Sequence, residues 1–389
     1  MLKIGIIAEF NPFHKGHEYI ISHAKKQGKV VCALSGNFVQ RGETAVFEKR
    51  IRASMALKCG ADVVLELPVL WSMSTAANFA LGGVSLLKNA GCDKIMFGSE
   101  TGDIESLIKL AEILQSTEYE NALKSELKEG ITFAAARQNA VKRLGGDYEI
   151  LDGANDNLGI EYIIAAKKCG FQGSFEAIKR KGAGHGEKVE AEFVSSTFLR
   201  ENLSKGNLEI CKKYMPERAA CLISGDDVSD MKLIDRAILT TLRCRSISEL
   251  KKLPDISEGV ENKLFSAIST AESFDDLCNN IKVKRYTMAR VRRLVLSAFL
   301  GVDSQFFMKP VPYLRVLGFT KSGEEIFKGL KISSDIPILS KSSQIKTLSE
   351  ECQKVFGFEC KATDLFGLSL KRPLASGLEY TSKIIKTGE

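Results

Sequence analysis

The 389-residue sequence has little histidine, tryptophan or proline, with four, one and eight of each, and none of its ten cysteines falls in a CxxC pair. The missing CxxC spacing argues against a cysteine-built zinc cluster. No apolar run is long enough to read as a membrane-spanning helix. The opening stretch "MLKIGIIAEF" meets Glu9 too soon to form the apolar core of an export signal. The expectation is therefore a cytoplasmic protein with reduced thiols and no membrane attachment. At 44% hydrophobic and 26% charged, the chain is globular in composition and long enough for two or three domains.

Acidic residues are missing from one region in particular. Between Asp276 and Asp303 there is none, while Lys282, Lys284, Arg285, Arg290, Arg292 and Arg293 fall inside that gap. Residues 1–200 carry 25 basic and 24 acidic groups, and residues 201–389 carry 30 and 24. The excess positive charge thus belongs to the second half and gathers on one predicted helix. Such clustering predicts contacts to the phosphates of a nucleic acid; a solvated helix face is the alternative.

The first 200 residues alternate in pattern. The segments "IGIIA", "KVVCALS", "DVVLELP", "CDKIMFGS" and "GSFEAIKR" read as short apolar strands, with helical stretches between them. This rhythm predicts a parallel sheet covered on both faces, with a ligand at the carboxyl ends of its strands where strand order reverses. Residues 205–308 read as a helical region. Residues 309–389 read as a small α/β unit, from "YLRVLGFT", "KSGEEIFKGLK" and "IPILSK". The predicted division is 1–204, 205–308 and 309–389.

Two of the scarce histidines, His14 and His17, stand at the exit of the first strand in "NPFHKGHEYI". A strand, a tight turn and a helix opening with Gly16 make a phosphate-binding arrangement, because free N–H groups and the helix dipole point at the ligand. Two imidazoles three residues apart can serve one phosphate chain and stabilise charge developing at an α-phosphate. Pro12 stiffens the turn, and Gly16 permits close approach. The HxxH spacing by itself fits zinc ligands as well; its place after the first strand favours phosphate.

"HKGH" resembles the HxGH signature of the nucleotidylyltransferase superfamily. "VSSTFLR" resembles that superfamily's Ser-Ser-Thr-x-x-Arg run, in Ser195, Ser196, Thr197 and Arg200; read alone, its hydroxyls are also good helix caps. More specifically, "GIIAEFNPFHKGHEYII", "SGNFVQRGE", "MALKCGADVVLELPV", "FGSE", "NDNLGIEYI", "IKRKGAGH", "KRYTMARVRR" and "YLRVLGF" together resemble the bacterial tRNA(Met) cytidine acetate ligase family over nearly the whole chain. The resemblance implies a Rossmann-like nucleotidylyltransferase sheet. It implies activation of acetate by ATP to acetyl-adenylate, then transfer of the acetyl group to the N4 amine of the wobble cytidine of elongator tRNA(Met), giving N4-acetylcytidine. It places ATP against Ile7, Ala8, Glu9, Phe10, Asn11, Pro12, Phe13, His14, Lys15, Gly16, His17, Glu18, Tyr19 and Ile20, and against Gly98, Asn155 and Arg180. His14 and His17 become the catalytic pair, Ser195, Ser196, Thr197 and Arg200 hold the outer phosphates, and Mg²⁺ accompanies ATP.

The chain departs from the family at two points. Ala154 stands where a proline usually precedes Asn155, and His185 stands alone where a Tyr-His pair usually follows "GAG". Gln40 and Arg41 follow the second strand at the ligand edge, and their role is open between substrate contact and loop structure. Glu9 and Asn11 are close enough to the histidines to shape an acetate pocket. Asp62 and Glu66 read as structural groups, and Trp71 as packing. Two other functions remain to be weighed. An adenylyltransferase for a small phosphorylated metabolite has no use for a basic C-terminal half. A non-enzymatic RNA-binding protein that keeps a nucleotide site does not account for two intact phosphate motifs.

Overall fold

The computed structural model describes residues 1–180, 193–256, 259–284 and 286–388. Seven strands position the site: β1 (Lys3–Ala8), β2 (Lys29–Ser35), β3 (Val63–Leu67), β4 (Lys94–Ser99), β5 (Ser174–Lys179), β6 (Leu314–Thr320) and β7 (Ile385–Thr387). They lie side by side in the order β7-β6-β3-β2-β1-β4-β5, with the short strand Ile338–Leu339 also against β6. Every pairing is parallel except that of β6 with β3.

The helices that matter here are α1 (Lys15–Gln27), α2 (Lys49–Lys58), α3 (Ala76–Asn89), α4 (Ala154–Cys169), α5 (Ser196–Ser204), α6 (Met288–Leu300) and α7 (Glu350–Gly367). Successive strand residues face opposite sides of a sheet. Accordingly Val30, Cys32 and Leu34 of β2 join a core with Ile21 of α1 and Met55 of α2, whereas Val31 and Ala33 join another with Phe79 of α3 and Ile160 of α4. Both faces of the central strands are thus buried, which is why they read as unbroken apolar runs.

The chain steps from β1 to β2 to β3 in one direction, then returns to the other side of β1 for β4 and β5. That reversal leaves a crevice beyond the carboxyl ends of β1 and β4, the usual ligand position in such sheets. Between residues 205 and 308 the described residues form helices and no strand.

One expectation needs correcting. The strands of residues 309–389 do not make a sheet of their own: β6 pairs with the free edge of β3, Val63 opposite Phe319 and Leu65 opposite Val316, and β7 extends the same sheet beyond β6. A buried charge cluster explains why they belong there. Lys49 Nζ of α2 lies 2.5 Å from Glu66 of β3, 2.8 Å from Glu359 of α7 and 2.5 Å from Glu379. Arg315 of β6 pairs with Glu66 at 3.1 Å and also with Glu379. Each of these charges needs partners supplied by the other end of the chain, since a lone buried ion is costly.

Candidate active site

The loop leaving β1 builds the floor of the crevice. Phe10 adopts φ of +47°, and the rings of Phe10 and Phe13 lie 5.0 and 5.7 Å from that of His17. Asn11 is buried and its Oδ1 accepts the Val46 N–H at 2.7 Å. A buried guanidinium braces the loop from below: Arg52 donates to the carbonyls of Glu9 at 2.6 Å, Ser35 at 3.0 Å and Phe47 at 2.8 Å, and also to that of Gly36. Arg52 and its carbonyls gave no signal in the sequence, because the acceptors are backbone atoms.

His14 caps α1 with its ring: Nδ1 accepts the Gly16 N–H at 3.1 Å. His17 completes the cap, its Nδ1 accepting the His14 N–H at 3.3 Å. The two rings stack 3.7 Å apart at 23°. A Cβ on Gly16 would come within 2.9 Å of the His14 ring, so glycine is required at this position. Since both Nδ1 atoms accept, each neutral ring carries its proton on Nε2. His14 Nε2 lies 3.1 Å from Ser196 Oγ, which brings the α1 and α5 N-termini together. The two helix N-termini thus meet at the His14 ring, with His17 stacked against it.

Burial, followed by the charge of Arg180, lowers the His14 pKa to about 3, and burial, followed by the charges of His14 and Arg180, lowers that of His17 well below the usual value. Both are therefore neutral at pH 7. The unfolded chain takes up these protons near pH 6.5, and the folded chain only far below it. Stability is full above that pH and falls as the pH drops. Between pH 6.5 and 5, His14 alone is expected to cost about 2 kcal/mol. Urea unfolding at the two pH values should show a drop that is smaller in His14→Gln by that amount.

The rest of the predicted set divides clearly. Ile7 and Ala8 end β1; Lys15 N–H donates to Tyr214 O at 3.1 Å, and Glu18 N–H to His14 O at 3.2 Å, within the first turn of α1. Ile20 and Arg180 flank Gly98, where a Cβ would stand 3.2 Å from Ile20 Cδ1 and 3.5 Å from Arg180 Cγ. Arg180 Nη1 lies 3.5 Å from Asn155 Oδ1, and Arg180 N–H donates to Ser99 O at 2.9 Å. Gly98, Asn155 and Arg180 are thereby gathered at the exits of β4 and β5. On the other side, Ser195 caps α5 by accepting the Phe198 N–H at 3.2 Å. Arg200 reaches Asn11 O at 3.0 Å, Thr197 Oγ1 at 3.1 Å and Glu43 at 3.3 Å. Pro12 lies buried in the loop between β1 and α1, and the Tyr19 ring packs 6.3 Å from that of Phe193. His185 and Arg285 lie outside the described residues.

Sequence reasoning missed Asp156. It is buried and accepts the N–H groups of Glu100 at 3.1 Å and Thr101 at 3.0 Å, as well as the Ser99 hydroxyl. It fixes the loop after β4, and its only signal was its place beside Asn155. Asp62 and Glu66 have structural partners as expected: Asp62 accepts from Lys25 at 2.6 Å and from Val30 N–H at 2.8 Å, and Glu66 sits in the buried cluster. Trp71 is buried, its indole donating to Lys309 O at 2.7 Å.

The basic stretch does not stand out as a free stripe. Arg290 pairs with Asp255 at 3.2 Å and covers the Tyr286 ring. Arg292 meets Asp275 at 3.0 Å, and Arg293 donates to Gln40 O at 2.9 Å. Lys282 donates to Val283 O at 2.9 Å, and Lys284 is exposed. A stretch that is acid-free in sequence is not acid-free in space, because Asp255 and Glu43 arrive from other elements. These arginines are engaged within the protein.

A family model for HIGH nucleotidyl transferases matches residues 1–379. The tRNA(Met) cytidine acetate ligase of Caldanaerobacter subterraneus subsp. tengcongensis is 39% identical over 401 residues, spanning 99% of this chain and 100% of the relative. The chain belongs to the tRNA(Met) cytidine acetate ligase family. Its namesake in Acetivibrio thermocellus is 33% identical over 414 residues, again across 99% of this chain and 100% of the relative. The crystal structure of Thermotoga maritima TmcAL bound with alpha-thio ATP superposes with a TM-score of 0.91 at 30% identity, covering both chains in full.

Proposed function

We propose that the protein is an ATP-dependent ligase that acetylates the N4 amine of the wobble cytidine in elongator tRNA(Met). The observation that carries the chemistry is the stacked, neutral His14–His17 pair facing the N-terminus of α5. The relatives' names supply the acetate and the tRNA. No helix of the described residues is long and apolar enough to cross a membrane, and the proposed substrates place the reaction in the cytoplasm.

In the first step an acetate oxygen attacks the α-phosphorus of ATP, and pyrophosphate leaves. Charge builds on the phosphate oxygens, where preorganised donors count most. The Nε2–H groups of His14 and His17 would donate there. Ser195, Ser196, Thr197 and the α5 N-terminus would receive the departing pyrophosphate, and Arg180 and Arg200 would balance its charge. In the second step the cytosine amine attacks the acyl carbon of acetyl-adenylate; AMP leaves, and the amine loses a proton. A wobble base lies in a single-stranded loop and is cheaply splayed into a pocket.

The donor set does not fit a protein-held metal. Both imidazole Nδ1 lone pairs are spent on backbone N–H groups. Among the described residues, the one group of three clustered ligand-type side chains, Glu66, Glu359 and Glu379, already surrounds Lys49. Magnesium would reach the site on the nucleotide's own phosphates, as is usual for that ion.

Acetate-dependent pyrophosphate release with ATP, followed by mass analysis of nucleosides from treated tRNA(Met), tests the reading. The expected result is release that requires acetate, and an acetyl group on one cytidine. Release indifferent to acetate, with unmodified cytidine, would favour adenylation of another acceptor.

A further inference from the structure

Gln40 and Arg41 form the tip of a small hairpin in which Phe38 pairs with Thr44 and Val39 with Glu43. The turn is tight. Gly42 N–H donates to Val39 O at 2.9 Å, and Gly42 takes φ of +74°, in the left-handed region that suits glycine.

The tip is fastened on two sides. Toward the sheet, Gln40 N–H donates to Glu9 Oε1 at 2.8 Å, in the loop between β1 and His14. Toward α6, Arg293 Nη1 donates to Gln40 O at 2.9 Å, and Arg292 lies 3.8 Å from Glu43. A Cβ on Gly42 would come within 2.6 Å of Arg292 Cβ and 2.7 Å of Arg293 N. The hairpin therefore rests directly on the helix, with no slack at its tip.

Arg41 behaves differently from the arginines around it. Its side chain is exposed, and among the described residues it has no hydrogen bond or ion pair. Its neighbours on the hairpin reach the site directly: Gln40 N–H is held by Glu9 at 2.8 Å, and Glu43 pairs with Arg200 at 3.3 Å. A guanidinium carried on a fastened turn, with no hydrogen bond or ion pair among the described residues, is open to an anion.

We infer that Arg41 binds a substrate phosphate, and that Arg292 and Arg293 are positioning residues that hold its hairpin over the site. The basic residues of α6 thus act on the substrate through Arg41. Two sources share the phosphate chemistry: the polyphosphate of ATP and the backbone of tRNA. Only the identity of these two sources rests on the proposed function.

Equilibrium binding of ATP and of a tRNA(Met) transcript, measured separately on the full-length protein, tests this without relying on turnover. Arg41→Gln is expected to weaken one of the two by about tenfold, as loss of a charged hydrogen bond does, and Arg41→Lys should recover most of that loss. Weaker ATP binding assigns the polyphosphate. Weaker tRNA binding, with a salt dependence shallower by about 0.7, assigns the RNA backbone. A change below twofold for both ligands overturns the contact. Arg293→Gln should weaken the same ligand and add nothing to Arg41→Gln, because both act through one contact; full additivity overturns the positioning role. A wild-type protein that binds both ligands but transfers no acetyl group would sink the ligase reading, while the Arg41 comparison would still stand.

Discussion

His17→Ala is expected to lower acetate-dependent pyrophosphate release by about 10²–10³-fold, the usual cost of removing one preorganised donor from a developing oxyanion. The ring contributes more than its Nε2–H. Its Nδ1 accepts the His14 N–H, and its face supports the His14 ring 3.7 Å away, so alanine also loosens the second donor. Binding of tRNA should persist, because the fold of the second half does not depend on this side chain. The pair of readouts decides the assignment. Unchanged turnover would mean that the histidines do not touch the reacting phosphate, and joint loss of turnover and tRNA binding would mean that the residue is structural.

The other large effect is expected at Lys49→Met. The methionine leaves Glu66, Glu359 and Glu379 with Arg315, and with Arg50 3.7 Å from Glu379, as the remaining cations. Breaking a buried ion network by deleting one partner typically costs about 3–5 kcal/mol, a large part of the stability of an ordinary domain. The urea midpoint at pH 7 should fall accordingly. The same reasoning predicts that a fragment ending before α7 does not fold, since Lys49 and Arg315 would lose the partners that Glu359 and Glu379 supply. An unshifted midpoint in Lys49→Met would show that the cluster adds nothing to stability.

What could be read from the sequence was what is local. The strands β1 to β5 announce themselves as apolar runs, and "HKGH" announces a phosphate site because it stands right after the first of them. Residues 309–389 were legible as strands and helices but not as part of the first sheet. The pairing of Leu65 with Val316 spans some 250 residues, and nothing in either segment names the other. The same blindness to distant neighbours made the acid-free stretch look like an exposed basic face, when Asp255 and Glu43 meet it in space. Arg52 was invisible for a related reason: it binds carbonyls, which every residue has.

The buried cluster also has a consequence for how the protein is made. Its members are at positions 49, 66, 315, 359 and 379, so the ribosome delivers Lys49 and Glu66, which pair with each other, long before their remaining partners. At typical elongation rates of about 5–20 residues per second, Lys49 waits roughly 17–66 s for Glu379. Until β6 is made, β3 has an open edge, and Lys49 has Glu66 as its partner in the cluster. The sheet therefore reaches its final form only after residue 379 has been made, and a product truncated before residue 359 lacks both Glu359 and Glu379. Such fragments are left open to proteolysis.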